Sequence, residues 1–106
     1  MYKRQIEKGY DGTNEAYWFR MQNNSGIITI GVGSYQASPN QDNSTLWNIS
    51  GFNLNTWNLL TGTYDGNNWN LYFNGNLVSS TNNTIGALNS NLGITIGAAN
   101  LSLIHI

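Results

Sequence analysis

The sequence predicts an all-β protein, an antiparallel sandwich or jelly roll. Three observations carry that prediction. Charged residues make up only 8% of the 106 positions, and their place is taken by nineteen Asn, eighteen Ser plus Thr and 12 Gly. Such a mixture disfavours helices, because Asn, Ser and Thr compete for backbone hydrogen bonds and glycine is costly in a helix interior. Hydrophobic residues still reach 40%, but they fall in short runs or alternate and never recur at a helical period. Asp-Gly and Asn-Gly pairs punctuate those runs, and both supply the positive φ angles that tight hairpins require.

Taken in order, a weak strand is expected at 2–7. Stronger ones follow at 15–21 and 27–35, separated by a hairpin signal at 22–26 (Gln-Asn-Asn-Ser-Gly). The polar stretch 38–45, which holds the lone proline Pro39, reads as a loop, and 45–50 as a weaker strand. The clearest region is 57–80, where Asp65-Gly66 and Asn74-Gly75 divide strands at 57–64, 69–73 and 76–80 into a meander. Alternation places Leu60 and Tyr64 on one face, and Trp69, Leu71 and Phe73 on one face of the next strand, all toward the interior. A last weak strand is expected at 93–97.

Composition excludes several functions. The chain is long enough for one small domain. All four bases (Lys3, Arg4, Lys8, Arg20) lie in the first twenty positions, so no surface exists that neutralises a run of phosphates, and no nucleic-acid partner is expected. Zero cysteines remove disulfides, thiol nucleophiles and cysteine-held zinc together. No apolar run approaches the roughly 20 residues of a bilayer span, and no secretory h-region opens the stretch, so membrane insertion is not expected. The last six residues, Leu101-Ser-Leu-Ile-His-Ile106, break the polar pattern. Residue for residue, they match an in-frame reading of a transposase mosaic-end adapter (CTG TCT CTT ATA CAC ATC). The expectation is that 101–106 is adapter-derived and 1–100 is the native part, which would also remove the only histidine, His105.

The string Trp57-x-x-Leu60-x-x-Thr63-Tyr64-Asp65-Gly66, then Leu71-Tyr72-x-Asn74-Gly75 and Ile94-x-Ile96-Gly97, resembles the laminin-G-like and pentraxin-like modules of the concanavalin A-like lectin/glucanase superfamily. Upstream, Ile6-x-Lys8-Gly9, Tyr17-x-Phe19 and Gly26-x-Ile28 fit the same order. The resemblance covers about 6–100, implies a two-sheet jelly roll and, through the family's strand pattern, implies that Trp57 and Trp69 lie in the core. Because such domains start earlier and continue after the Ile-Gly element, it also implies a copy incomplete at both ends. Members are mostly secreted or surface modules that bind glycans or proteins, some through calcium, often within a multidomain chain. Related jelly rolls hydrolyse polysaccharides, so fold alone does not decide between binding and catalysis.

Glycoside hydrolysis requires two carboxylates flanking one bond. The acids are Glu7, Asp11, Glu15, Asp42 and Asp65; no two stand at i,i+2, and the Glu-x-Asp-x-x-Glu cluster of the related glucanases is absent. No catalytic residue is expected. Calcium takes oxygen ligands from Asp, Asn and carbonyls, and the pentraxin-like resemblance carries such ligands onto Asp11 and Asn14, with Asn100 after the Ile-Gly strand. Ala99 stands where that resemblance implies an acid, and Asp11-Gly12 also reads as a turn, which outweighs the metal reading. Tyr35, Trp47 and Tyr72 are the candidates for stacking on sugar rings. The expected function is a non-catalytic recognition module, carbohydrate-binding by resemblance, within a larger extracellular (secreted, cell-surface or virion-attached) protein whose partner is a glycan or a surface protein. The alternatives are an adhesion spacer and the accessory domain of a polysaccharide-degrading enzyme.

Overall fold

A computed structural model describes residues 2–9, 14–36, 41–50, 55–83 and 85–97. Its elements are all strands: β1 (Tyr2–Lys8), β2 (Glu15–Asn24), β3 (Ile27–Gln36), β4 (Gln41–Ser50), β5 (Leu60–Tyr64), β6 (Asn68–Phe73), β7 (Asn76–Asn82) and β8 (Ile94–Ile96). They form a five-stranded antiparallel sheet, β4-β3-β2-β1-β8, and a three-stranded one, β5-β6-β7. The two face each other as a sandwich. The jelly-roll expectation and the 57–80 meander are both met.

Turn chemistry explains the hairpins. Ser25 and Gly26 take φ of 52° and 91°, and Asn74 and Gly75 take 50° and 83°, which are the paired positive angles of two-residue turns between twisted strands. The Asn74 side chain also accepts from Leu59 N–H at 2.8 Å, while its own N–H donates to Leu59 C=O at 2.8 Å. At the β5–β6 turn, Asp65 Oδ1 accepts from the N–H groups of Asn68 (2.7 Å) and Asn67 (2.9 Å).

The core lies between β3 and β6. Ile28, Ile30 and Val32 from one sheet meet Trp69 and Leu71 from the other, and Ile30 and Leu71 have no exposed surface. Tyr17, Phe19, Met21, Trp47, Ile49, Leu60, Tyr64 and Val78 pack around them. Gly62 pairs with Leu71 in the ladder, and a Cβ there would stand 2.7 Å from a Val32 methyl. Glycine is what lets β5 close onto β3.

Two expectations are corrected. Residues 41–45, read as loop, are the first half of β4, paired with β3 from Gln36↔Gln41 onward. Their inward side chains are polar and bond toward the opposite sheet: Thr45 Oγ1 lies 2.6 Å from Ser79 Oγ and accepts from Thr81 Oγ1 at 3.0 Å. Asn43 Oδ1 accepts from Asn83 Nδ2 at 2.7 Å. Trp57, expected in the core, is fully exposed. The strand starts only at Leu60, and an odd-numbered position has the wrong parity to share a face with Leu60 and Tyr64. Pro39 and 101–106 lie outside the described residues.

Two measurements check this packing. Leu71→Ala is expected to cost about 2–5 kcal/mol in denaturant unfolding. Leu77→Ala, at a side chain 56% exposed, is expected to stay within roughly 0.5 kcal/mol of the parent. The Asn68 and Asn67 amides, joined by the Asn70 side chain, hold the Asp65 carboxyl below the usual 3.8. That contribution is fully present above the ordinary carboxylate value and is lost as pH falls through the lowered one. Asp65→Asn is therefore expected to flatten the acid limb of a plot of melting temperature against pH.

Candidate functional site

The three candidate aromatics lie on three different surfaces. Trp47 faces inward from β4, its ring 5.1 Å from that of Phe73 at a 50° tilt, and it packs against the core. Tyr72 shares its face of β6 with Asn68 and Asn70, opposite to Trp69 and Leu71, on the outside of the three-stranded sheet. There Asn70 accepts from Ser80 Oγ at 2.7 Å, and Asn68 Oδ1 accepts from Asn82 Nδ2 at 3.1 Å. Tyr35 sits on the outside of the five-stranded sheet, between Glu15 and Asp42 in the ladder. No joint platform forms. Trp47 is placed for packing, and only Tyr35 and Tyr72 reach outer faces.

On the Tyr35 face the largest side chain is Trp18, which is 1% exposed. It lies over Gly31, where a Cβ would stand 3.0 Å from the indole. The Arg20 guanidinium is stacked 3.8 Å from its ring centroid, a cation–π contact. Burial pulls Arg20 below the usual arginine range, while Asp42 acts in the opposite sense. Nothing in the spacing of Trp18, Arg20 and Gly31 marked them beforehand. The one available signal was the pair Gly31 and Gly33 inside an otherwise β-branched strand.

Of the three candidate calcium ligands, Asp11 and Asn100 lie outside the described residues. Asn14 does not, and it lines a pocket of about 220 Å³ with Gly9, Ala16, Gln36, Leu88, Asn89 and Ser90. The pocket sits at the end of the sandwich where β1 and β3 finish and β2 begins. Its far wall is the returning chain before β8, held by Leu88 N–H donating to Ala16 C=O at 3.0 Å and by Leu92 N–H donating to Ser90 Oγ at 3.1 Å. Gly9 is required there: its φ is +73°, and a Cβ would collide with Ser90 and Ala16. The pocket's own side-chain oxygens are neutral amides and a hydroxyl. A hard cation normally takes carboxylates as well, and no three acids or histidines converge on a metal position among the described residues.

A second cleft, about 510 Å³, opens between the sheets and is apolar, bounded by Ile6, Tyr17, Phe19, Leu60, Tyr64 and Trp69. Among the described residues, neither cleft is lined by a carboxylate.

No curated protein and no solved structure matches the chain. Residues 2–103 match a laminin G family model described as belonging to the concanavalin A-like lectin/glucanases superfamily. Laminin G-like domains are common in extracellular proteins, and the superfamily supports a module of carbohydrate-binding type. With two facing antiparallel sheets and a match over nearly the whole length, the chain belongs to the laminin G-like family of the concanavalin A-like lectin/glucanases superfamily.

Proposed function

We propose that this domain is a non-catalytic recognition module of an extracellular protein, and that it binds a neutral glycan end in the pocket bounded by Asn14, Gln36, Asn89 and Ser90. The observation that carries this reading is the pocket's chemistry. Side-chain amides both donate and accept, which is what vicinal sugar hydroxyls demand, and the cavity has room for a single sugar ring. Tyr35, next to Gln36 in β3, is a candidate flank for a second ring. The non-catalytic part rests on the acids. Glu7 and Glu15 are buried, Asp65 is engaged as the cap of its turn, and among the described residues neither cleft carries the carboxylate pair that glycoside hydrolysis needs.

A glycan array probed with the 106-residue chain, followed by titration calorimetry on the best ligand, tests the proposal. Gln36→Ala and Asn89→Ala, each removing hydrogen bonds worth about 1 kcal/mol, are each expected to weaken binding roughly fivefold to tenfold while far-UV circular dichroism stays unchanged. Repeating the titration with calcium and with a chelator decides whether Asp11, Asn14 and Asn100 act together as a cation site. No glycan binding under either condition, or binding indifferent to both substitutions, rules out this pocket. The adhesion-spacer reading would then stand.

A further inference from the structure

We infer that Ser34 is a positioning residue for the polar pocket: by holding Gly86 C=O it fixes where Asn89 and Ser90 stand opposite Gln36. The role assigned to the pocket rests on the glycan reading, whereas the placement of its wall rests on the bonds alone. The starting point is the path of the chain from β7 back to β8, which crosses the five-stranded sheet strand by strand. Asn83 Nδ2 donates to Asn43 Oδ1 of β4 at 2.7 Å. Ser34 Oγ of β3 donates to Gly86 C=O, and Leu88 N–H donates to Ala16 C=O of β2 at 3.0 Å. Ser90 then rests on Gly9, the residue after β1, where a Cβ would stand 2.5 Å from that of Ser90.

The anchoring order, β4 to β3 to β2 to β1, is the order of the sheet itself. The anchors also share one row. Ser34 and Asn43 are ladder partners, Ala16 falls in the bulge between Glu15 and Trp18, and Gly9 follows the Lys8↔Tyr17 pair. Neighbouring strands lie about 4.8 Å apart, and one residue of chain spans at most about 3.6 Å. Two residues per strand is therefore the least that serves, and Gly86, Leu88 and Ser90 follow at that minimum. If the chain slides so that Ala87 meets β3, a single residue is left to reach β2. Leu88, Asn89 and Ser90 must then slide with it, and the pocket wall is displaced.

Ser34 is the anchor that ties the wall to the strand carrying Gln36. The two side chains are two positions apart on the inner face of β3, so both sides of the pocket are referenced to one strand. Ser34 has no exposed surface and Gly86 is buried. Removing the hydroxyl leaves a buried carbonyl without that partner, a cost the chain relieves by moving toward water. The Asn83 side chain accepts from Ile85 and Gly86 N–H on the near side, so it holds the start of the crossing whatever stands at position 34. Loosening is thereby directed onward, to Leu88, Asn89 and Ser90.

Amide hydrogen exchange followed by NMR on the 106-residue chain and on Ser34→Ala tests the inference. The Leu88 amide is expected to exchange about fivefold to tenfold faster in the variant. The Asn83 amide, bonded to Asn67 C=O at 2.7 Å, and the Asn74 amide, bonded to Leu59 C=O at 2.8 Å, are expected to keep the parent rate. A general loss of stability would move all three together. In the glycan titration, Ser34→Ala is expected to weaken binding about fivefold, although Ser34 does not itself line the pocket. A parent chain that binds no glycan defeats the glycan reading, and the three amides then decide the placement on their own. A Leu88 amide at the parent rate, equal acceleration of all three, or a faster Leu88 amide with unchanged glycan affinity would each overturn the inference.

Discussion

The contact between Leu71 and the Ile28–Ile30–Val32 run of β3 is what the rest of the sandwich hangs on. It is the place where the two sheets meet with side chains fully withdrawn from water. Its closeness depends on Gly62, which sits across the ladder from Leu71 and lets β5 reach Val32. Trp69 extends the same contact toward Tyr64, at 4.9 Å between ring centroids. Tyr64 in turn donates its hydroxyl to Asn83 C=O at 2.7 Å. The apolar centre is thereby joined to the chain leaving β7, and through it to the strap that walls the polar pocket. Core and candidate site are consecutive parts of one chain of contacts.

Asparagine does in this molecule much of what charge does elsewhere. Asn83 accepts from the N–H groups of Ile85 and Gly86 with its side-chain oxygen while donating to Asn43 across the sandwich. Ser34, with no exposed surface, donates to Gly86 C=O. Gly86 has a φ of +61°, and a Cβ there would run into the Tyr64 ring, so the loop closes only with glycine at that position. Each bond of this kind contributes about 1 kcal/mol net, but leaving one of these buried groups unpaired costs more. Neutral amides can therefore order a loop end without the desolvation cost of ion pairs.

The hairpins were legible because their determinants are local. Asp65-Gly66 and Asn74-Gly75 fix two turns by backbone geometry alone, and the parity of Leu60, Tyr64, Trp69, Leu71 and Phe73 follows from them. The first half of β4 was not legible. Asn43 and Thr45 look like loop residues until Ser79, Thr81 and Asn83, more than thirty positions away, arrive to bond with the Thr45 hydroxyl and the Asn43 side-chain oxygen. Trp57 failed for the opposite reason: a family string suggested burial, yet the strand begins three residues later. The pocket was half legible. Asn14 was singled out for a metal, but its neighbours Leu88, Asn89 and Ser90 are brought there only by the long return to β8. No periodicity encodes a return of that kind.

The same low charge that shapes the interior also limits how this surface recognises anything. Residues 21–106 hold two Asp and no Lys or Arg, so neither ion pairs nor long-range steering is available along most of the fold. Attraction has to come from short-range hydrogen bonds in a small cavity and from ring faces, and such sites are individually weak. A module with weak, neutral sites gains by presenting several together, because the second engagement then occurs at a high effective concentration.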